Sequence, residues 1–222
     1  MRRVSKVFRG ACAWGLFIAL AVPCRNASAQ QVCDYSGRAY GAYVNVASLG
    51  PTYFADTGDL PPTGGTLTAF LVNVNVPGII TATTMADTTT GANCQANSAA
   101  AVEDVTVLQG NPAQVHATLV KSSAYADCVL LKGASTIVGL TFGGISVTVT
   151  GAPNQMVTIP GVATLTIDEQ ISGPGKAFTV NALHLRLLGG TQEVIIASAH
   201  SDVFCMTPTR PTTWGSLKAL YR

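Results

Sequence analysis

The sequence predicts an all-β fold: an antiparallel β-sandwich, with a closed β-barrel as the alternative, an N-terminal signal helix before it and a short mobile C-terminal tail after it. Three observations carry that expectation. Charged residues make up only 11% of the 222, while Thr, Val, Ala and Gly abound, which is the composition of a β-rich extracellular protein. Short β-prone runs recur between Gly, Pro and Asn punctuation, and no stretch before the last residues has a convincing helical period. Four cysteines remain once the amino-terminal segment is set aside, an even count that suits an exported domain tied by disulfides.

Residues 1–29 read as an export signal. Arg2, Arg3, Lys6 and Arg9 form a positive n-region, "ACAWGLFIALAV" (11–22) an apolar h-region, and "ASA" (27–29) a small-x-small cleavage site after Ala29. The apolar run falls short of the roughly 20 residues that span a bilayer. Lipidation at Cys24 is a rival, although Pro23 suits a lipobox poorly, and "RRVSKVF" (2–8) hints at a twin-arginine route. Five of the 13 basic residues precede residue 30, leaving eight against eleven acidic ones, a net charge of −3. That balance, with no basic stripe or polybasic patch, excludes nucleic acid as a partner.

A single β-rich domain then covers 30–205. Strand candidates are 38–48, 66–76, 97–108, 113–126, 135–142, 145–150, 155–168, 177–188 and 192–204. The Pro/Gly-rich segment 49–65 reads as a loop. "ATLTIDEQ" (163–170) alternates, with Ala163, Leu165 and Ile167 inward and Thr164, Thr166 and Asp168 outward. The tail 206–222 contains two prolines, a glycine and scattered threonines, which argue against an ordered strand.

Cys33, Cys94, Cys128 and Cys205 allow three disulfide connectivities. "QGNPA" (109–113) reads as a hairpin turn, and Cys94 and Cys128 are equidistant from Asn111, so they would face each other across that hairpin. The expected bonds are therefore Cys94–Cys128 and, by remainder, Cys33–Cys205, tying the first strand to the last.

"SGRAYGAYVNV" (36–46), "IDEQ" (167–170), "FTVNALHLRLLGG" (178–190) and "EVIIASAHSDVFC" (193–205) resemble the choice-of-anchor P family of bacterial exported proteins. The resemblance spans about 36–205 and is most specific in "NALHL" and "ASAHSD". Asp168-Glu169 stands where that family usually has Asn-Glu, and the family's sortase motif or terminal apolar helix is not evident after Cys205. The resemblance implies a cell-surface or extracellular role and no particular activity.

Chemistry is sparse. There is no G-x-S-x-G elbow, H-E-x-x-H or phosphate-binding glycine loop, and "HSD" (200–202) sends neighbouring side chains to opposite strand faces. A metal site would draw on His116, His184, His200, Glu169 and Asp202, with His184, His200, Glu169 and Asp202 the leading candidates. "ADTGD" (55–59) supplies only Asp56 and Asp59 toward a calcium-like site. "LGGTQ" (188–192) reads as a hairpin turn. The register that sets Arg186 opposite Glu193, a favourable charge pair, places Leu183, Leu185, Leu187, Val194, Ile196, Ser198 and His200 on the core face. His184 then lies outside with Ala182 and Arg186, apart from His200. A three-residue loop would put both histidines on one face. Glu169 falls on the inward parity of its strand, so a buried Glu169–His200 hydrogen bond is expected, with His200 mattering more to stability than His184.

The sequence thus points to a secreted, extracellular or periplasmic structural or interaction domain without catalytic activity. It is expected to need no cofactor, to have no transmembrane segment in the mature chain, and to meet a cell-surface or extracellular partner or a second copy of itself. A secreted metal- or ligand-binding protein using the histidine and acid cluster is the alternative, followed by a hydrolase and an outer-membrane barrel.

Overall fold

A computed structural model describes residues 32–187 and 189–206. The signal segment with its cleavage site and Cys24, and the tail from residue 207, lie outside the described residues.

Thirteen strands follow in order: β1 (Val32–Val46), β2 (Leu49–Asp56), β3 (Gly65–Val76), β4 (Ile80–Ala92), β5 (Gln95–Val107), β6 (Val115–Asp127), β7 (Leu131–Val138), β8 (Thr141–Phe142), β9 (Ile145–Ser146), β10 (Gln155–Ile159), β11 (Ala163–Ser172), β12 (Phe178–Leu187) and β13 (Glu193–Met206). They form two antiparallel sheets packed face to face. One is six-stranded, in the order β10-β11-β12-β13-β1-β2. The other is seven-stranded, in the order β3-β4-β5-β6-β8-β9, with β7 also paired to β6. Among the described residues both sheets are open, so the fold is a sandwich and the barrel alternative is set aside. No helix among the described residues is long and apolar enough to cross a membrane.

Several segments correct the strand assignments: 155–168, read as one strand, is split into β10 and β11 by a turn at 160–162, 135–142 divides between the end of β7 and β8, and 145–150 is a strand only over β9. Residues 49–56 of the expected loop form β2, which pairs with β1. The unassigned stretch "ITATTMADTTTGA" forms β4 in the interior of its sheet. Its inward residues, Ile80, Ala82, Met85, Asp87 and Thr89, include two polar groups and change parity midway, so no apolar alternation marked it.

That change of parity runs through both sheets. Asp168 (φ 52) and Ala197 (φ 52) are left-handed and lie in one cross-strand row with Gly41 and Ala182, where the ladders skip a pair. Asn73 (φ 52) and Asp104 (φ 49) mark the matching row of the other sheet. A left-handed residue rotates the chain and shifts the in/out alternation by one. Hence Val194 and Ile196 point inward before Ala197, whereas Ala199, Ser201 and Val203 do so after it.

The rows divide the core. On one side Val44, Ile80, Val105, Val107, Phe142, Leu165, Ile167, Leu183, Leu185 and Ile196 fill it with large apolar groups. On the other, toward the cysteines, the layer is rich in small residues, Ala96, Ser98, Ala124, Ala126, Ala199 and Ser201, among which Phe178, Val180 and Val203 are set. Thr89 and Ser98 share a hydroxyl hydrogen bond, Ser201 donates to the Ala124 carbonyl, and Ser98 donates to the His200 carbonyl across the sheets. Small side chains let the two sheets approach closely there.

This approach corrects the disulfide map. The bonds are Cys33–Cys94 and Cys128–Cys205, with Cα separations of 5.4 and 5.7 Å. The hairpin register inferred from Asn111 does hold, since Gln95 pairs with Asp127 and Ala96 with Ala126, one step from Cys94 and Cys128. Cys33 likewise stands directly opposite Cys205. The cysteines are therefore neighbours within each sheet, as read, yet their inward side chains bond between the sheets.

Candidate functional site

The outer face of the six-stranded sheet carries most of the ionisable groups that the sequence singled out, together with aromatic groups that it did not. The expected register across the β12–β13 hairpin is present, with Arg186 opposite Glu193, Leu185 opposite Val194 and Thr179 opposite His200. His184 lies on the outer face as expected. His200 does not take the core face, because Ala197 intervenes and turns it outward, onto the same side as His184. Asp168 does the same to Glu169 in β11. The expected Glu169–His200 hydrogen bond is therefore absent, and Glu169 meets His184 instead.

Glu169 is the hub of a buried network. Its Oε2 accepts from Asn181 Nδ2 at 2.8 Å and from His184 Nδ1 at 2.6 Å, while Oε1 accepts from Arg186 Nη2 at 2.9 Å. The other ring nitrogen of His184 lies 2.9 Å from Glu193 Oε2. The His184 ring thus lies between two carboxylates, one facing each ring nitrogen. Ser198 donates to Asn181 Oδ1 at 2.7 Å and shares a hydrogen bond with the Tyr40 hydroxyl. Burial alone would raise the Glu169 carboxyl, but hydrogen bonds from His184, Asn181 and Arg186 outweigh it and hold it at about 2.

Beside it, on β1 and β2, lies an aromatic patch. Tyr43 is paired with Tyr53, their ring centroids 4.7 Å apart, and Tyr40 meets Tyr53 edge-on at 5.1 Å. The Arg38 guanidinium sits 4.3 Å from the Tyr53 ring centroid and forks onto Asp56, Nε to Oδ1 at 2.9 Å and Nη2 to Oδ2 at 2.6 Å. That hydrogen-bonded fork lowers the Asp56 carboxyl, and Asp59 lies 3.8 Å from the same guanidinium. The two acids of "ADTGD" are thus engaged by Arg38. Burial depresses the basicity of His200, whose Nδ1 lies 2.8 Å from the Thr179 hydroxyl, with Asp202 and Asp59 nearby.

Of the candidate ligands, Glu169 and His184 are brought together, while His200 and Asp202 lie elsewhere on the same face. Among the described residues, only cysteines supply three ligand atoms within 4.8 Å of one another. His116 is on the other sheet, with Nδ1 3.1 Å from the Thr106 hydroxyl. Sequence reading missed Arg38, Tyr40, Tyr43, Tyr53 and Asn181. The aromatic members were visible as "YGAY" and "TYF", but their convergence depends on β2, which had been taken for a loop. No family model matches this chain, and searches of curated proteins and of solved structures give no match either.

Proposed function

We propose that this chain is an exported, secreted or envelope-associated β-sandwich of the choice-of-anchor P kind, acting as a non-catalytic structural or interaction domain. Its binding surface is the outer face of the six-stranded sheet, and its partner is a component of the cell envelope. The observation that carries this reading is the pairing of ionisable groups across that face. Glu169, His184, Glu193 and Arg186 hold one another, as do Arg38 and Asp56, so these groups are engaged in pairs within the face rather than held free. Such pairing supports a rigid recognition surface, with Tyr43 and Tyr53 as aromatic contact area. Two disulfides and no membrane-crossing helix among the described residues are compatible with an extracellular or periplasmic location. The same pairing disfavours the metal-binding alternative, since Glu169 and His184 already satisfy each other.

The test is co-sedimentation of the labelled mature protein with envelopes from the producing cells. Wild-type protein is expected to pellet with them and the Arg38→Ala/Tyr53→Ala variant to remain in solution. Lys121→Ala, on the outer face of the seven-stranded sheet, should behave as wild type. Equal retention of all three would overturn the assignment of the face.

A further inference from the structure

The two disulfides meet at one end of the sandwich. Cys33 and Cys205 are adjacent, inward-facing residues of the six-stranded sheet, directly opposite on β1 and β13. Cys94 and Cys128 flank the end of the β5–β6 ladder in the seven-stranded sheet. Each bond therefore crosses between sheets. The Sγ atoms of Cys33, Cys128 and Cys205 all lie within 4.8 Å of one another, so sulfurs of different disulfides are close neighbours.

Thiol–disulfide exchange needs a thiolate beside a disulfide sulfur, and the product must have bridgeable backbone geometry. Both conditions hold for Cys33 and Cys205. Directly opposed residues of an antiparallel pair have Cα atoms about 4.5–5.5 Å apart, within the range a disulfide spans.

We propose that the four cysteines form a single exchange-competent cluster, in which one two-electron reduction releases both covalent ties between the sheets. A dithiol reductant opens Cys33–Cys94, giving two thiols and becoming a disulfide itself. The Cys33 thiolate attacks Sγ of Cys205. The Cys33–Cys205 bond forms, the Cys128–Cys205 bond breaks, and its electron pair leaves on Cys128, which takes a proton from solvent. The product holds one disulfide within the six-stranded sheet and free thiols at Cys94 and Cys128. Entry through the other bond ends at the same place: reducing Cys128–Cys205 frees Cys205 to attack Cys33 and expel Cys94. The device opens the small-residue end of the sandwich while leaving the large apolar half intact.

The experiment is Cys94→Ser in the oxidised mature protein, alkylated under acid quench and mapped without reduction. This variant leaves Cys33 as the odd thiol with no added reductant. Expected is a Cys33–Cys205 linked peptide pair and near-stoichiometric alkylation of Cys128. Cys33→Ser, which removes the attacking sulfur, should keep Cys128–Cys205 and alkylate only Cys94. Alkylated Cys33 with intact Cys128–Cys205 in Cys94→Ser, or a Cys33–Cys128 link, would overturn the proposal. Should Cys94→Ser fail to fold, the wild type treated with one equivalent of a phosphine reductant gives the same reading. Cys94 and Cys128 should then be alkylated together, and molecules alkylated at Cys33 and Cys94 would contradict the mechanism.

Discussion

Asp87 offers the most quantitative test of the packing. It projects from β4 into the core between the sheets, is 5% exposed, and its two carboxylate oxygens have no hydrogen-bond partner of normal geometry. Burial pushes the carboxyl up to about 8 from its ordinary 3.8, and the nearby amides of Ala101 and Gly41 offset only part of that. At pH 7 the folded protein therefore keeps a proton that the unfolded chain has released. Forgoing that ionisation costs about 1.4 kcal/mol for each of roughly three pH units, on the order of 4 kcal/mol in all. The sign follows from the raised value: the folded state binds the extra proton, so stability falls as pH rises from about 4 to about 8 and levels off above. Asp87→Asn abolishes that titration while keeping the shape. Denaturant titrations followed by circular dichroism, from pH 4.5 to 9 with disulfides intact, should show the wild type losing stability relative to Asp87→Asn by up to about 1.4 kcal/mol per pH unit. The buried amide adds a constant offset, so the slope is the quantity to read. Parallel curves for the two proteins would refute an ionisable, unpaired Asp87 in the core.

Three further outcomes are expected. His184→Ala should lose about 2–4 kcal/mol, because the buried Glu169 carboxylate gives up a hydrogen-bond partner, whereas His200→Ala, which gives up a hydrogen bond to Thr179, should lose about 1 kcal/mol; calorimetry of the two variants would show this reversal of the order read from sequence. Gly133→Ala should destabilise by about 1–3 kcal/mol in chemical denaturation, since its added Cβ would collide with Val180 and Phe178 of the facing sheet. Glu169 acts opposite to Asp87: its lowered carboxyl contributes stability above pH 4.5 that is lost as pH falls toward about 2, and Glu169→Gln should flatten that acid limb of the unfolding curve.

The fold class and the hairpin registers were legible because they rest on short-range pattern. "VNALHLRLLGG" and "QEVIIASA" have the length and turn chemistry of adjacent strands, and the Arg186–Glu193 charge pair fixed their offset. The symmetry about Asn111 placed β5 against β6 correctly. What failed depended on the third dimension. The disulfides were assigned within sheets because only in-sheet neighbours can be read from register, while the distance between sheets is set by Ala96, Ala126, Ser201 and their neighbours packing together. The faces of Glu169 and His200 were misjudged because strict alternation was assumed through Asp168 and Ala197. Asp168, Asn73 and Asp104 are residue types that tolerate the left-handed region, so a signal existed for three of the five positions, the others being Ala55 and Ala197. Ala197 gave none. The strand β4 was overlooked because Asp87 and Thr89 occupy inward positions that a binary pattern reserves for apolar residues.

Hydroxyl-radical footprinting of the protein, free and bound to envelopes from the producing cells, addresses the binding face most directly. Tyr53 is 42% exposed on the six-stranded sheet, and Phe70 is 63% exposed on the other sheet. Binding through the outer face of the six-stranded sheet should lower oxidation of Tyr43 and Tyr53 several-fold and leave Phe70 unchanged. Protection of Phe70 with Tyr43 and Tyr53 still fully reactive would place the partner on the opposite sheet and contradict the account.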